Sequence, residues 1–428
     1  MKVHFIGING SGCSGVAIVA KKSGFDVSGC DKEADTPYSA QLAAVGIPVF
    51  VGHDKSHVDD ADIVAVSAAF LEQKDKVDEV EFARKAGKLM KWQEFLGRHI
   101  LPSKRVIAVC GTHGKTTITS MVAHILESAG FDPTAFVGAI VPAWGSSSRF
   151  GASDWIVIEA DEYAENFASF QPEIAVVNNL EMEHPEYFRD WGHYKQTFVN
   201  FLSKAKIVVY NSDDSGIGEI IDEISAEKIS FSAKDFPDWK MDLIGDHNRS
   251  NAMAAVTVAR KIGISDNDSK SALATFRSAD HRLQKIFDDG NNIVYDDYAH
   301  HHTQVKSSLA AVRGEYPNHK IIAIFEPHQI SRYVQNTKAT LGALAVADFA
   351  VVVGFYLGRE AGLPVPDVTA DIKALGIGNI KFISDPIAAT DFVKSHFADK
   401  TVVVVMGAGR SYKISEMLKK NLEDNPEK

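Results

Sequence analysis

The chain has 428 residues, length for about three domains of ordinary size, and at 45% hydrophobic and 24% charged it has the composition of a globular protein. A net charge of −11, with no run of Lys and Arg to offset it, argues against a general nucleic-acid binder. No apolar stretch reaches the ~18 residues of a membrane span, and Met1 leads directly into a strand pattern rather than a signal peptide, so a cytoplasmic protein is expected.

Residues 2–8 read as a buried strand, followed by Gly10-x-Gly12-x-x-Gly15 and a helix over 16–22. This is the pattern of a Rossmann-like turn that accepts a diphosphate, without specifying NAD. A second strand over 26–30 ends at Asp31, where an acidic residue would meet a ribose hydroxyl. Strand patterns at 49–50 and 63–67, a charged helix over 73–86 and a linker over 101–104 complete this part. Cys13, Cys30 and Cys110 are too few and too scattered for a disulfide framework or a zinc site, and read as small apolar residues in reducing surroundings.

The central part opens with an apolar strand over 106–109 running into Gly111-Thr112-His113-Gly114-Lys115-Thr116-Thr117, with a helical pattern from Ile118. Strand, glycine loop and helix in that order wrap backbone N–H groups around a phosphate. Lys115 would reach the outer phosphates and Thr116 would offer its hydroxyl to Mg²⁺. Val109 stands where the first glycine of the full G-x-x-x-x-G-K-[ST] pattern belongs. Two further strands, over 155–158 and 174–177, end in Glu159-Ala160-Asp161-Glu162 and in Asn178-Asn179-Leu180-Glu181-Met182-Glu183-His184. In a parallel sheet both groups fall on the rim that carries the phosphate loop, where a carboxylate can hold Mg²⁺. Asn248 and Asn251 precede a helix over 253–261, where they could bind polar groups or simply cap the helix.

The last third carries a strand over 293–295 that ends in Asp296-Asp297-Tyr298-Ala299-His300-His301-His302. Consecutive histidines on a regular element cannot all face one metal ion. A helix over 304–312 and strands over 321–325, 349–353 and 402–405 make a third, doubly wound domain. Residues 424–428 read as a loose end.

Taken together, the segment 111–117, Glu159-Ala160-Asp161-Glu162, Gly245-Asp246-His247-Asn248 with Asn251, Arg282, and Asp296-Asp297-Tyr298-Ala299-His300-His301 resemble the Mur ligases. These are ATP-dependent amide-forming enzymes of bacterial cell-wall synthesis, and the motifs occur in their order over nearly the whole chain. The resemblance implies an α/β protein of three domains. A Rossmann-like UDP-substrate domain would span 1–103, a central P-loop-type ATPase with a mostly parallel sheet 104–279, and a Rossmann-like amino-substrate domain 280–428.

The resemblance also implies ATP and Mg²⁺ as cofactors and UDP-N-acetylmuramate as the acid substrate, in a monomer or homodimer. It assigns nucleotide binding to Gly111, Thr112, His113, Gly114, Lys115, Thr116, Thr117, Asn248, Asn251, Arg282 and Asp297. The metal falls to Thr116, Glu159 and His184, and the catalytic set is Lys115, Glu159, His184, Arg282 and Asp297. The UDP substrate falls to Gly10, Ser11, Gly12, Ser14, Gly15 and Asp31, and the amine to His301, His328 and Arg332. Pro327-His328 with Arg332, and Gly407-Ala408-Gly409, resemble members that add L-alanine. Glu162-Tyr163, Asn178-Asn179-Leu180-Glu181 and Phe325-Glu326-Pro327 resemble members that add a murein tripeptide. Gln329, Glu183, His281 and His302 depart from the family pattern. We read the amine as L-alanine because the first two groups lie in the amino-substrate domain. An NAD-dependent oxidoreductase, read from the first glycine turn and Asp31, leaves 111–117 without a purpose. A nucleotide-binding protein without ligase chemistry is the non-catalytic alternative.

Overall fold

Short runs of β-branched residues, such as Ile63–Val66 and Thr401–Met406, are buried at every position, as expected of parallel strands covered on both faces. The computed structural model describes residues 1–33, 35–71, 78–360, 362–397 and 400–424. The chain forms two compact units, Met1–Asp242 with Ser250–Ala279, and Leu243–Arg249 with Asp280–Lys428.

The first unit holds two sheets. One consists of β1 (Lys2–Ile6), β2 (Asp26–Asp31), β3 (Val49–Val51), β4 (Ile63–Val66) and β5 (Leu89–Lys91), all parallel, in the order β3-β2-β1-β4-β5. β1 stops at Ile6, short of the expected Ile8, because the amides of Gly7 and Ile8 leave the ladder and donate to Cys30 O at 2.9 and 3.2 Å. The first helix spans Ser11–Lys22 and so begins five residues before its apolar pattern. Of the charged helix expected over 73–86, the observed element is Asp78–Lys85, and 72–77 lie outside the described residues.

The second sheet consists of β6 (Arg105–Cys110), β7 (Thr134–Val141), β8 (Ser146–Arg149), β9 (Trp155–Glu159), β10 (Ile174–Val177), β11 (Ile207–Asn211) and β12 (Glu227–Phe231). Its order is β12-β11-β10-β6-β9-β7-β8, and β8 alone of these strands runs antiparallel to its neighbour. β6 lies between β9 and β10, so the loop after β6 sits at the point where the chain order reverses, the usual ligand crevice of such sheets. An apolar core runs from Phe5 and Val16 through Phe95 to Phe167 and Phe198 and joins the two sheets. Gly15 belongs to this packing: a Cβ there would lie 3.2 Å from Ser147 Oγ and 3.3 Å from Ser148 Cβ on β8.

The second unit contains β13 (Gln284–Asp288), β14 (Asn292–Asp297), β15 (Lys320–Phe325), β16 (Phe349–Val352), β17 (Ile380–Phe382) and β18 (Thr401–Met406). The order is β13-β14-β18-β15-β16-β17, parallel except for the β13–β14 pair. Apolar clusters lie on both faces, one around Val305 and Leu341, the other around Val393 and Leu418. The helix expected over 304–312 spans His302–Glu315. The last helix is Tyr412–Asp424, so Asp424 is helical, and the rest of the expected loose end, 425–428, lies outside the described residues. The chain therefore has three α/β domains, the N-terminal and C-terminal ones Rossmann-like and the central one built on a mostly parallel sheet.

Candidate functional site

The helix after β6 begins at Lys115, three residues earlier than its apolar pattern, and is preceded by Gly114 in the left-handed region (φ +84°). A side chain at Gly114 would be strained by that φ, and its Cβ would stand 2.6 Å from Asn251 Oδ1 and 2.8 Å from Asn178 Nδ2. Loop and helix together aim the first-turn amides, which have no intrahelical partner, at the space above the sheet. Two other loop amides are already committed. Thr112 N donates to Asn179 O at 3.0 Å and His113 N to Asn179 Oδ1 at 2.7 Å. The Thr112 hydroxyl is also tied down, 3.0 Å from both Glu181 O and Tyr194 OH. Thr112 and His113 thus shape the loop through contacts within the protein.

Lys115 Nζ donates to Gly111 O at 2.7 Å, to Thr112 O at 3.3 Å and to Glu162 Oε2 at 2.8 Å. Burial alone would lower the Lys115 pKa, but the carboxylates of Glu162, Asp161 and Glu159 together outweigh it and hold the ammonium above its ordinary value. Burial raises the Glu162 carboxyl above the usual range, although Lys115 pulls it down. Of this pair the proton belongs to Lys115.

The expected metal set divides. Thr116 Oγ1 donates to Glu159 Oε1 at 3.1 Å, while Glu159 Oε2 accepts from Gly138 N at 2.7 Å. His184 groups instead with Asp161 and Glu162, each offering one ligand atom within 4.8 Å of the others. Glu162 Oε1 is buried and has no hydrogen-bond partner among the described residues. An orphaned carboxylate oxygen beside a second carboxylate suits a hard cation. Burial would lower the His184 pKa, but Glu186, whose Oε1 is 3.1 Å from Nδ1, and then Glu162 and Asp161 raise it. Asp161 and Glu162 belong to the Glu159-Ala160-Asp161-Glu162 segment, of which the family resemblance singles out only the first residue. The chain turns sharply behind them, with φ of +49° at Ala164 and +54° at Glu165, and this tucks Glu162 under Lys115.

Asn248 and Asn251 lie inside a helix, Asp246–Lys261, rather than ahead of one starting at Met253. Asn248 Nδ2 donates to Ile244 O at 2.9 Å; Asn251 Oδ1 accepts from Asn178 Nδ2 at 3.3 Å. At the first glycine turn, Ser14 is fully buried, its hydroxyl donating to Ser11 O and accepting from Gln41 Nε2, so it supports the turn from within. Asp31 Oδ2 accepts from Asn9 N at 2.9 Å and holds the same turn. Gly12 faces the Trp92 ring. Gly10 and Ser11 form the helix start.

In the second unit, Asp297 is turned inward, accepting from Ser308 Oγ and from Leu283 N at 3.2 Å. Burial pushes its carboxyl up to about 6, against the opposing pull of Ser308 and Arg282. It thereby fixes the turn that carries Arg282, whose guanidinium lies 4.5 Å from the Tyr298 ring centre. His281 pairs with Asp296, which also accepts from Ser415 Oγ at 2.7 Å. His301, His328 and Arg332 line one shallow cleft together with His300, Tyr333 and Asn336. Arg332 Nη1 is 3.4 Å from His328 Nδ1, and the His328 ring stacks on Tyr356 at 5.7 Å. Glu326 Oε2 accepts from Arg410 N at 2.6 Å and Ser411 N at 3.1 Å, anchoring the turn that follows Gly407-Ala408-Gly409.

No helix among the described residues is long and apolar enough to cross a membrane. Three family descriptions match the chain in succession: the Mur ligase family catalytic domain over 2–102, the Mur ligase middle domain over 109–242, and the Mur ligase glutamate ligase domain over 281–409. A UDP-N-acetylmuramate–L-alanine ligase of Caldicellulosiruptor bescii is 32% identical over 452 residues, covering 98% of each chain. Among solved structures, the UDP-N-acetylmuramate–alanine ligase of Thermotoga maritima superposes with a TM-score of 0.82 at 26% identity, covering 99% of this chain and 100% of the other. A murein peptide ligase of Psychrobacter arcticus shares the fold, with a TM-score of 0.73 at 24% identity over 99% and 98% of the two chains. With a full-length relative at this identity and three successive domain matches, the chain belongs to the Mur ligase family and is an ATP-dependent ligase.

Proposed function

We propose that the protein joins the carboxylate of UDP-N-acetylmuramate to the amine of L-alanine, with ATP converted to ADP and phosphate. The observation that carries the phosphate chemistry is the fixed ammonium of Lys115 at a helix N-terminus, held between two loop carbonyls and a buried carboxylate. The choice of substrates rests on the name of the Caldicellulosiruptor bescii relative, which matches over 98% of both chains.

A carboxylate resists attack by an amine because its leaving group is poor. Reactions of this class pass through an acyl phosphate, which supplies a good one. Phosphoryl transfer between anions depends on positioned positive charge. Lys115 supplies one such charge, and Glu162 keeps it protonated while limiting its movement. The first-turn amides of the helix at Lys115–Ser128 supply further positive potential. Asp161, Glu162 and His184 would hold Mg²⁺, which would neutralise phosphate oxygens when bound. Glu159 with Thr116 offers a second oxygen pair on the same rim.

In this reading the domains span 1–103, 104–279 and 280–428. The turn at Gly10, Ser11 and Gly12 receives the UDP diphosphate, with Ser14, Gly15 and Asp31 holding its shape. Asn248, Asn251, Arg282 and Asp297 serve the nucleotide side, and His301, His328 and Arg332 the amine.

The test is phosphate release from ATP with UDP-N-acetylmuramate and, in turn, L-alanine, glycine, L-serine and the murein tripeptide. L-alanine is expected to give the highest kcat/KM. A preference for the tripeptide would overturn the choice of amine, and no release with any of them would overturn the ligase reading.

A further inference from the structure

The N-terminal sheet carries a second group of metal-ligand side chains, separate from the phosphate site. Along β1 and β2 alternate residues point to opposite faces. Phe5 and Val27 join the core shared with the central sheet, while Ile6 and Cys30 face the other way, into a small cluster with Val58, Val64 and Val80. His4, Cys30 and Glu79 are each 0% exposed on that face. His53 and His57 come from the segment after β3, and their side chains are 11% and 16% exposed.

The five side chains converge. Cys30 Sγ is 3.0 Å from Glu79 Oε1 and 3.5 Å from His53 Nδ1, and His53 Nδ1 is 2.5 Å from Glu79 Oε1. His57 Nδ1 lies 3.5 Å from Glu79 Oε2. Ligand atoms of Cys30, His53 and Glu79 lie within 4.8 Å of one another, as do those of His4, Cys30 and His57, so the sulfur is common to both sets. Ligand atoms around a tetrahedral zinc stand roughly 3.3–3.8 Å apart, given its usual bond lengths; the two 3.5 Å separations fall in that range, and the shorter contacts of Glu79 Oε1 to Cys30 and His53 would open on binding.

Two imidazole nitrogens in this pocket, His4 Nε2 and His57 Nδ1, are buried without a hydrogen-bond partner among the described residues, while His53 meets Cys30 and Glu79 through its Nδ1. Buried polar atoms are rarely left so, and two in one place call for a ligand. The other nitrogen of His4 is occupied by Ser28 Oγ at 2.9 Å, which leaves Nε2 for the pocket. The His57 ring is held flat on Phe50, 4.7 Å between centres, and His53 packs edge-on against Phe70 at 5.0 Å. Thiolate and imidazole beside one carboxylate select a borderline transition ion rather than Mg²⁺ or Ca²⁺.

We propose that Cys30, His53, His57 and Glu79, with His4 against the same sulfur, form a structural zinc site in the N-terminal domain. Cys30 is then a ligand, unlike Cys13 and Cys110, which are buried as the sequence suggested. The ion would lie directly beneath the first glycine turn. Cys30 O accepts the amides of Gly7 and Ile8, and its neighbour Asp31 accepts that of Asn9. Zinc here ties β2, the segment after β3 and the helix Asp78–Lys85 together and fixes the base of that turn.

The test uses the full-length protein stripped with a chelator and titrated with Co²⁺. A thiolate-to-cobalt charge-transfer band in the near ultraviolet reports this site alone, since Asp161, Glu162 and His184 offer no sulfur. One equivalent is expected to develop the band and zinc to abolish it. Cys30→Ser should remove the band, and His53→Ala and Glu79→Gln should each weaken cobalt binding by at least ~10-fold. Circular dichroism establishes that each variant is folded. Absence of the band in the unmodified protein overturns the site, as does an undiminished band in Cys30→Ser. Should Cys30→Ser fail to fold, unchanged cobalt affinity in both Glu79→Gln and His53→Ala overturns it equally.

Discussion

Lys115 Nζ stands 2.8 Å from Glu162 Oε2, and the glutamate side chain has no solvent exposure. Each group therefore depends on the other for its charge state. Removing Lys115 alone leaves a carboxylate buried without its partner, a change that typically costs about 3–5 kcal/mol. Lys115→Met is expected to fold with reduced stability and to lose roughly 10²–10³-fold or more in phosphate release. The double variant Lys115→Met with Glu162→Gln should regain much of the stability and none of the activity. Urea midpoints and phosphate assays on the three proteins separate the two effects. Near-normal turnover in Lys115→Met would show that this loop does not serve the nucleotide.

The cation prediction discriminates between two places on one rim. If Mg²⁺ is held by Asp161, Glu162 and His184, His184→Ala should raise the Mg²⁺ concentration for half-maximal rate by roughly 10–100-fold. If it is held by Thr116 and Glu159, the shift should appear in Glu159→Gln instead. Mg²⁺ titrations of both variants at saturating ATP distinguish them. No shift in either variant would remove both sets from the metal site.

The strands around this site could be read from their composition, because parallel strands buried on both faces are continuous apolar runs with nothing else to satisfy. Helix starts could not. The apolar patterns begin at Val16, Ile118 and Met253, whereas the helices begin at Ser11, Lys115 and Asp246. In each case the first turn is built from glycine or polar residues, so the 3.6-residue period that betrays a helix is silent there. The same limit hid Glu162, whose burial under Lys115 depends on the turn at Ala164 and Glu165 rather than on any local pattern. It also hid the pocket around Cys30, whose ligands are drawn from positions 4 to 79 and meet only once β2 lies beside β1.

Asp297 yields a prediction whose sign follows from its burial. Its carboxyl is pushed up to about 6 in the folded chain from an ordinary value of 3.8. The folded state therefore keeps a proton that the unfolded state has released. The associated stability is fully present below about pH 4 and is lost as pH rises through about 6, and a gap of about two units is worth about 3 kcal/mol. Asp297→Asn lacks this titration. The stability of the unmodified protein relative to Asp297→Asn should fall by up to that amount between pH 4 and 7, as measured by urea unfolding at each pH. Parallel profiles for the two proteins would mean that Asp297 ionises normally.

The cleft lined by His301, His328 and Arg332 provides the last prediction. Arg332 is only 8% exposed, so its guanidinium is held in place by the fold, and its Nη1 lies 3.4 Å from His328 Nδ1. A hydrogen bond to a charged group contributes about 1.5–3 kcal/mol, equivalent to roughly 10–100-fold in affinity. If the cleft receives the amino acid, His328→Ala and Arg332→Lys should raise the KM for L-alanine by that factor and leave the KM for ATP unchanged. Arg332→Lys keeps the charge but loses the planar fork, so a large effect there would show that recognition depends on geometry as well as sign. Steady-state kinetics with each substrate varied in turn provide the measurement. An unchanged KM for L-alanine in both variants would place the amine elsewhere, and a parallel rise for ATP would indicate that the substitutions had disturbed the domain rather than the cleft.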